Sequence, residues 1–323
     1  MTPSLYPTET AIELPKLGSW PASVHLFDAA SAYALRAAEA ANRPLLVRGE
    51  PGTGKSQLAR AAAVATDRLF LSVVVNARTE CQDLQWHFDA VGRLGEAQTL
   101  ARVEDADLNT RLHPRRFLSP GALWWALDWD SAQAQWETCA NSPEAIPSAP
   151  DDWQSSQGSV LLIDEIDKAD TDLPNSLLET LGNGDFTVPY TGASVRQSSQ
   201  NPPPLVIMTT NEERELPDAF LRRCLVLHLS LPETDDALVQ FLCQRGAAHF
   251  PQGCSEAVRL RAARQLVEDR NAALDQGLPP PGQAEYLDIL RALSNMAQDE
   301  AEQLELLDAI RDFVLKKSPP SRP

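Results

Sequence analysis

The chain has 323 residues, enough for one large domain or about two of ordinary size. Its 28 Lys and Arg against 45 Asp and Glu give a net charge of −17, which repels a phosphate backbone and argues against nucleic acid as a direct partner of the whole chain. The five cysteines, Cys81, Cys139, Cys224, Cys243 and Cys254, show neither paired CxxC spacing nor nearby histidines at metal-ligand spacing, and read as ordinary buried thiols of a reducing cytosol.

Residues 1–24 are punctuated by Pro3, Pro7, Pro15 and Pro21, with no basic start followed by an apolar run, so no signal peptide is expected. No apolar run approaches the ~18 residues of a membrane span, and the expectation is a soluble cytoplasmic protein. Residues 27–42 ("FDAASAYALRAAEAAN") are rich in helix formers and place Phe27, Ala30, Tyr33 and Ala34 on one face. The apolar run from Pro44 to Val47 predicts a strand, Gly49 to Gly54 a loop, and "KSQLARAAAVATD" from Lys55 a helix. "LFLSVVV" (69–75) predicts the next buried strand. Alternating strands and helices point to an α/β fold with a parallel sheet.

Further along, "PGALWWALDWD" from Pro120 has aromatics at helical spacing, which suggests packed core or an inserted helix; the other reading is a partner or intersubunit surface. Residues 140–159 are Pro/Ser/Asp-rich and predict a surface excursion. Two more apolar strands follow. Val160 to Ile163 runs into carboxylates, and Leu205 to Met208 runs into Thr209, Thr210 and Asn211, both placing polar groups where open α/β sheets bind ligands. Between them, residues 182–200 predict a hairpin that either faces a pore or partner or is a plain surface hairpin. From about residue 233 strand signals vanish. Leu238, Phe241 and Leu242, then Tyr286, Ile289, Leu290 and Leu293, then Leu304, Leu307 and Ile310 recur at helical spacing, which predicts a small all-helical second domain over 232–317 and a tail at 318–323.

Gly49, Glu50, Pro51, Gly52, Thr53, Gly54, Lys55 and Ser56, followed by Gln57, match GxxxxGK[ST] between a strand and a helix. The residue types follow from the task of holding a polyphosphate. Glycines let the backbone N–H groups turn inward, Lys55 neutralises β- and γ-phosphate charge, and the Ser56 hydroxyl is suited to Mg²⁺. In "SVLLIDEIDKAD", Asp164 is the second candidate for Mg²⁺ and Glu165 the candidate general base for water. Asp167, Lys168 and Asp170 read as a solvated charged turn. Asn211 is placed to orient the attacking water. Arg222 and Arg223 lie at a helix end as candidate arginine fingers toward a neighbouring subunit's nucleotide, the other reading being a surface ion pair. No NKxD guanine-reading motif is present, so the expected nucleotide is ATP. The five histidines, His25, His87, His113, His228 and His249, are scattered and suggest neither a metal site nor a catalytic dyad.

The order of phosphate loop, DE-ended strand, Asn-ended strand, paired arginines and helical lid resembles an AAA+ ATPase, and several segments narrow the resemblance to the MoxR-like family. These are "DLQWHFDAVGRLGEAQ" (83–98), "PGALWWAL" (120–127), "VLLIDEIDKADTDLPNSLLETL" (160–181), "NEERELPDAFLRRC" (211–224) and "LPPPGQAEYLDILRAL" (278–293), within a likeness that runs from about 25 to 315. That resemblance implies a P-loop AAA+ αβα core over 25–231, a helical lid, and a homo-oligomer in a hexameric ring with ATP at subunit interfaces. It also implies remodelling of a protein partner, often of von Willebrand factor A type. By the same resemblance Lys55 and Ser56 serve the phosphates, Asp164 and Glu165 hydrolysis, Asn211 sensing, and Arg223 the finger with Arg222 as the fallback. One departure stands out. Many AAA+ lids place an arginine at the start of the third lid helix, whereas this chain reads "PPPGQAEY" there, leaving Gln283 or a more distant arginine to substitute, or the contact missing. The implied activity is Mg²⁺-dependent ATP hydrolysis that drives remodelling; the alternatives are an ATP-dependent assembly switch with little turnover, or the motor subunit of a defence or restriction complex.

Overall fold

The computed structural model describes residues 5–8, 10–101, 107–140 and 145–314; the expected tail at 318–323 lies outside them. In chain order, a hairpin of β1 (Ala11–Leu14) and β2 (Ser23–Leu26) precedes α1 (Ala29–Ala41) and β3 (Leu45–Arg48). The glycine loop then enters α2 (Lys55–Ala65), followed by β4 (Leu69–Val74). Short pieces come next: α3 (Cys81–Gln85), β5 (Trp86–Phe88), α4 (Ala90–Leu100), α5 (Leu108–Arg111), β6 (Leu118–Pro120), α6 (Ala122–Leu127) and α7 (Trp129–Thr138). After β7 (Ser159–Asp164) and α8 (Asp172–Asn183) stands the hairpin β8 (Asp185–Val188) and β9 (Ala193–Arg196), then β10 (Leu205–Thr210), α9 (Asp218–Leu221) and β11 (Leu225–His228). Four helices close the described chain: α10 (Asp235–His249), α11 (Glu256–Asp275), α12 (Gln283–Met296) and α13 (Glu300–Val314).

The chain divides into two compact units. One contains Ala30–Val47 and Ala59–Leu227; the other contains Pro7–Ala29, Arg48–Leu58 and the chain from His228 onward.

The first unit is built on a five-stranded sheet of order β11-β3-β10-β7-β4. Its strands are parallel: Leu205 of β10 sits opposite Val160 of β7 and Met208 opposite Ile163, while Leu69 of β4 sits opposite Ser159 and Val74 opposite Asp164. A strand covered on both faces needs an unbroken apolar run, not an alternating one. Val160, Leu161, Leu162 and Ile163 are all fully buried, and every residue of β10 is buried. α1 buries Ser31, Ala32, Leu35 and Ala38, so the face expected from Phe27, Ala30, Tyr33 and Ala34 is rotated; Tyr33 is 67% exposed. Small residues flanking one leucine make the tighter seam against a sheet, and the larger aromatic is left outside.

The tryptophan-rich segment is core. Trp124 and Trp125 are buried in the same apolar cluster as Leu161, Ile163 and Met208. Asp128 accepts from the Ser131 backbone N–H at 3.2 Å and caps α7. Of the expected surface excursion, Trp153 is partly buried against this cluster: it donates its indole N–H to the Gly158 carbonyl at 3.1 Å and packs edge-on against Trp129. The β8–β9 hairpin carries its turn residue Tyr190 onto Phe88 of β5, rings stacked at 3.8 Å, with Trp86 edge-on at 5.3 Å.

The second unit has its own core, which holds Leu238, Leu242, Tyr286, Ile289, Leu290, Leu293 and Leu307 of the expected residues together with Val258 and Leu266, while Phe241, Leu304 and Ile310 are partly buried against it. Ser255 caps α11 by accepting from the Val258 N–H at 3.2 Å. Residues 1–24 read as a proline-punctuated extension in sequence, yet they contain strand β1, which pairs antiparallel with β2, Ala11 opposite Leu26 and Leu14 opposite Ser23. The pairing gives the backbone polar groups between the prolines their partners.

Candidate functional site

The two halves of the expected site lie in different compact units. In the second unit the segment Gly49–Ser56 is shaped by three glycines at positive φ: Gly49 at +150°, Gly52 at +78° and Gly54 at +91°. Only glycine adopts such angles cheaply. A Cβ on Gly49 would stand 2.2 Å from the Leu229 carbonyl oxygen, so this position is closed to side chains on steric grounds as well. Lys55 is buried, and its ammonium donates to the Gly49 and Glu50 carbonyls at 2.7 and 2.9 Å. Thr53 Oγ1 donates to the Glu50 carbonyl at 2.9 Å, and the Ser23 hydroxyl donates to Gln57 Oε1 at 3.4 Å. Leu58 N–H bonds the Gly54 carbonyl at 3.0 Å, so the first N–H groups of α2 are left facing the loop's concave side. The first turn of α12 stands close to Gly52 and Gly54, and its cap residue Gly282 lies near the Pro51 carbonyl.

In the first unit the carboxyl ends of β7 and β10 carry the remaining polar residues. Thr209, fully buried, donates its hydroxyl to Asp164 Oδ1 and accepts from the Glu165 backbone N–H at 2.9 Å. One hydroxyl thus fixes the side chain of Asp164 and the backbone of Glu165 together. Glu165 adopts the left-handed conformation, φ +61°, and its carboxylate takes two bonds, from Asn211 Nδ2 at 3.4 Å and from Lys168 Nζ at 2.7 Å. Glu212, the residue after Asn211, is also at φ +61° and donates its N–H to Thr210 Oγ1 at 2.9 Å. Left-handed backbone at non-glycine residues costs of order 1 kcal/mol or more each, and here two occur at the ends of neighbouring strands.

Asp167 and Lys168 correct the solvated-turn expectation. Asp167 is only 2% exposed; one carboxylate oxygen accepts from the Glu213 N–H at 2.9 Å and the other has no hydrogen-bond partner. It ties the segment after Asn211 to the turn after Glu165. Lys168 is half-exposed and salt-bridged to Glu165, and the partner it gains raises its pKa, chiefly through that hydrogen bond. Asp170 remains exposed, 4.0 Å from Arg214.

Asp164, Glu165 and Asn211 are therefore brought together in one unit. Arg222 and Arg223 lie in that unit just after α9, both exposed. Arg43 donates to their backbone carbonyls, at 3.0 Å for Arg223, and so satisfies the end of a short helix. Sequence reading gave Thr209 no specific role, set Lys168 aside as solvated, and passed over Arg43 and, in the second unit, Arg270, which bonds Glu50. Thr209 had a signal, a hydroxyl ending an otherwise apolar strand; Arg43 and Arg270 had none, because their partners are far away in sequence. Of the cysteines, Cys224 and Cys254 are buried and the other three half-buried; burial pushes the Cys224 thiol up to about 12, leaving it inert at neutral pH.

Among the described residues no group of three His, Cys, Asp or Glu side chains is arranged to hold a metal, and no helix is long and apolar enough to cross a membrane. Ser56 and Asp164 each offer a hard oxygen donor, the chemistry Mg²⁺ prefers.

A parallel sheet in which one strand leads into GxxxxGK[ST] and another ends in an Asp-Glu pair defines a P-loop nucleotide-binding protein. The family model for the AAA domain of the dynein-related subfamily matches residues 44–224, more than half of the chain, and the chain belongs to that family of AAA+ ATPases. No curated protein matches the chain. Among solved structures, a mutant of RuvB from Thermotoga maritima aligns over 88% of this chain and 75% of that one at 13% identity with a TM-score of 0.38, a likeness too loose to add to the family assignment.

Proposed function

We propose that this chain is an Mg²⁺-dependent ATPase of the MoxR-like type, working as a homo-oligomeric, hexameric ring in the cytoplasm that remodels or activates a partner protein, one candidate being a von Willebrand factor A-type protein. The observation that carries the reading is the Glu165 carboxylate beside the Asn211 amide at 3.4 Å, at the ends of adjacent strands, with Asp164 oriented by Thr209. A carboxylate and an amide 3.4 Å apart are what a water needs in order to be held and deprotonated.

In this reading the backbone N–H groups of Gly49, Glu50, Pro51's neighbour Gly52, Thr53 and Gly54 wrap the phosphates. Lys55 exchanges its carbonyl partners for β- and γ-phosphate oxygens, and Gln57 flanks the loop on α2. Mg²⁺, shared between Ser56, Asp164 and the phosphates, supplies charge neutralisation. Glu165 takes the proton of the attacking water and Asn211 orients that water. Arg223, with Arg222 as the fallback, reaches the nucleotide of a neighbouring subunit, which suits exposed side chains on a backbone that Arg43 holds still. The net charge of −17 supports a protein partner over direct contact with nucleic acid. The absence of an NKxD motif favours ATP over GTP.

A second reading, an ATP-dependent assembly switch with little turnover, is favoured by one observation: the Glu165 carboxylate is already engaged by Lys168. A motor subunit of a defence or restriction complex, with a separate chain binding nucleic acid, fits the same chemistry.

The deciding experiment measures ATPase activity per chain across protein concentration for wild type, Glu165→Gln and Arg223→Ala, with light scattering in parallel. Specific activity that rises with assembly and disappears in both variants is the expected result. ATP-driven assembly with almost no wild-type turnover would overturn the motor reading and leave the switch.

A further inference from the structure

Arg270 of α11 joins two segments of the second unit that are far apart in sequence. Its Nη2 donates to Glu50 Oε2 at 2.8 Å, across 220 residues, and its Nη1 donates to the Pro281 carbonyl at 3.1 Å. The side chain is only 12% exposed although its partner Glu50 is half-exposed, so the guanidinium is the enclosed member of the pair. Pro281 precedes α12, whose start is fixed by Glu285 accepting from the Gly282 N–H at 2.9 Å. The first turn of α12 touches the loop: a Cβ on Gly52 would lie 3.1 Å from Ala284 Cβ, and one on Gly54 4.0 Å from Gln283 Nε2.

We propose that Arg270 is a positioning residue for nucleotide binding, neutralising the acidic residue inside the phosphate loop and locking the loop to the start of α12. This rests on the reading of Gly49–Ser56 as the ATP site. A carboxylate at the second position of such a loop carries the wrong sign for an incoming polyanion, and solvent around the half-exposed Glu50 weakens that repulsion without removing it. A guanidinium fork meets two acceptors at once, which a lysine ammonium on a flexible stem does less rigidly. Arg270 therefore cancels the charge of Glu50 and, through Pro281, fixes where Gln283 stands. The arginine missing from the start of α12 has its counterpart on the preceding helix, acting through Glu50.

The test is equilibrium binding of a fluorescent ATP analogue to the full chain, with the melting temperature of each nucleotide-free variant recorded alongside. Arg270→Ala weakens binding about tenfold, a typical coupling magnitude. Glu50→Gln, which removes the charge being neutralised, tightens binding about threefold by the same reasoning. In the Glu50→Gln background, Arg270→Ala costs less than about twofold, because the charge it cancels is gone. Arg270→Lys recovers only part of the affinity. Equal weakening in both backgrounds, or wild-type affinity in Arg270→Ala, overturns the proposal. Should Arg270→Ala fail to fold, the exchanged pair Glu50→Arg with Arg270→Glu decides: a chain that folds and binds the analogue near wild-type affinity supports the pairing, and one that does neither overturns it. A wild-type chain that binds no analogue brings down the ATP-site reading, and this proposal with it.

Discussion

Lys168 reaches back three residues and donates to the carboxylate of Glu165 at 2.7 Å, so the residue proposed to accept a proton from water already holds an ammonium. That pairing has to open before Glu165 can act. Lys168→Met removes the competitor without touching the backbone, and turnover of ATP rises, by at most about fivefold because half-exposed ion pairs are weak. Steady-state phosphate release under saturating ATP reads this out; a fall in turnover would instead place Lys168 among the groups the reaction needs.

Thr209 supplies one buried hydroxyl to two functional residues. Thr209→Val keeps the shape and removes both bonds, leaving the Glu165 N–H unpaired in a strand end that is already left-handed. The expected cost is about 1–3 kcal/mol of stability. It is seen as a lower melting temperature together with slower turnover, whereas Thr209→Ser retains the hydroxyl and most of both.

His25 of β2 packs edge-on against Phe27 and faces Arg245 and His249 of α10. Burial, then the Arg245 charge, depress His25 to about 3, and burial with Arg245 and Arg291 depresses His249 to about 4. Both folded-state values lie below the unfolded 6.5, so the unfolded chain binds more protons in the window between. The stability these neutral rings contribute is fully present above about pH 6.5 and is lost as the pH falls toward 4 and then 3. Melting temperatures of the double variant His25→Asn with His249→Asn decline less between pH 7 and pH 5 than those of wild type; parallel curves would exclude the rings as the cause.

Gly49→Ala places a Cβ against the Leu229 carbonyl at a distance no real contact reaches, at a backbone angle already unfavourable for a side chain. The loop is forced to move, and ATP-analogue affinity falls by at least about tenfold. Gly18→Ala, open in space, serves as the control for φ alone.

Long, unbroken apolar runs made the central strands readable, because a strand covered on both faces leaves no room for a polar residue; β7 and β10 lie where Val160–Ile163 and Leu205–Met208 put them. The glycine loop between β3 and α2 and the carboxylates closing β7 lie where the sequence put them for a related reason, since each is a pattern of residues adjacent in sequence. Contacts between residues far apart in the chain were not legible. Nothing near Arg43 announces that it bonds the carbonyls of Arg222 and Arg223, and nothing near Arg270 announces Glu50. The face of α1 was misread because alanine carries little pattern, so Tyr33 outweighed the small residues that face inward. Lys168 was set aside as solvated because a charged turn looks the same in sequence whether or not one of its members folds back on a neighbour.

The Arg43 contacts have a mechanical side. Arg43 stands two residues before β3, a short buried strand whose other end opens directly into the glycine loop. β3 is hydrogen-bonded to a neighbour on each edge, so Arg43 is rooted at the start of a stiff central strand. The main chain of Arg222 and Arg223 is therefore moored to the middle of the sheet by one guanidinium, and Arg43→Ala would cast that corner loose without touching either arginine.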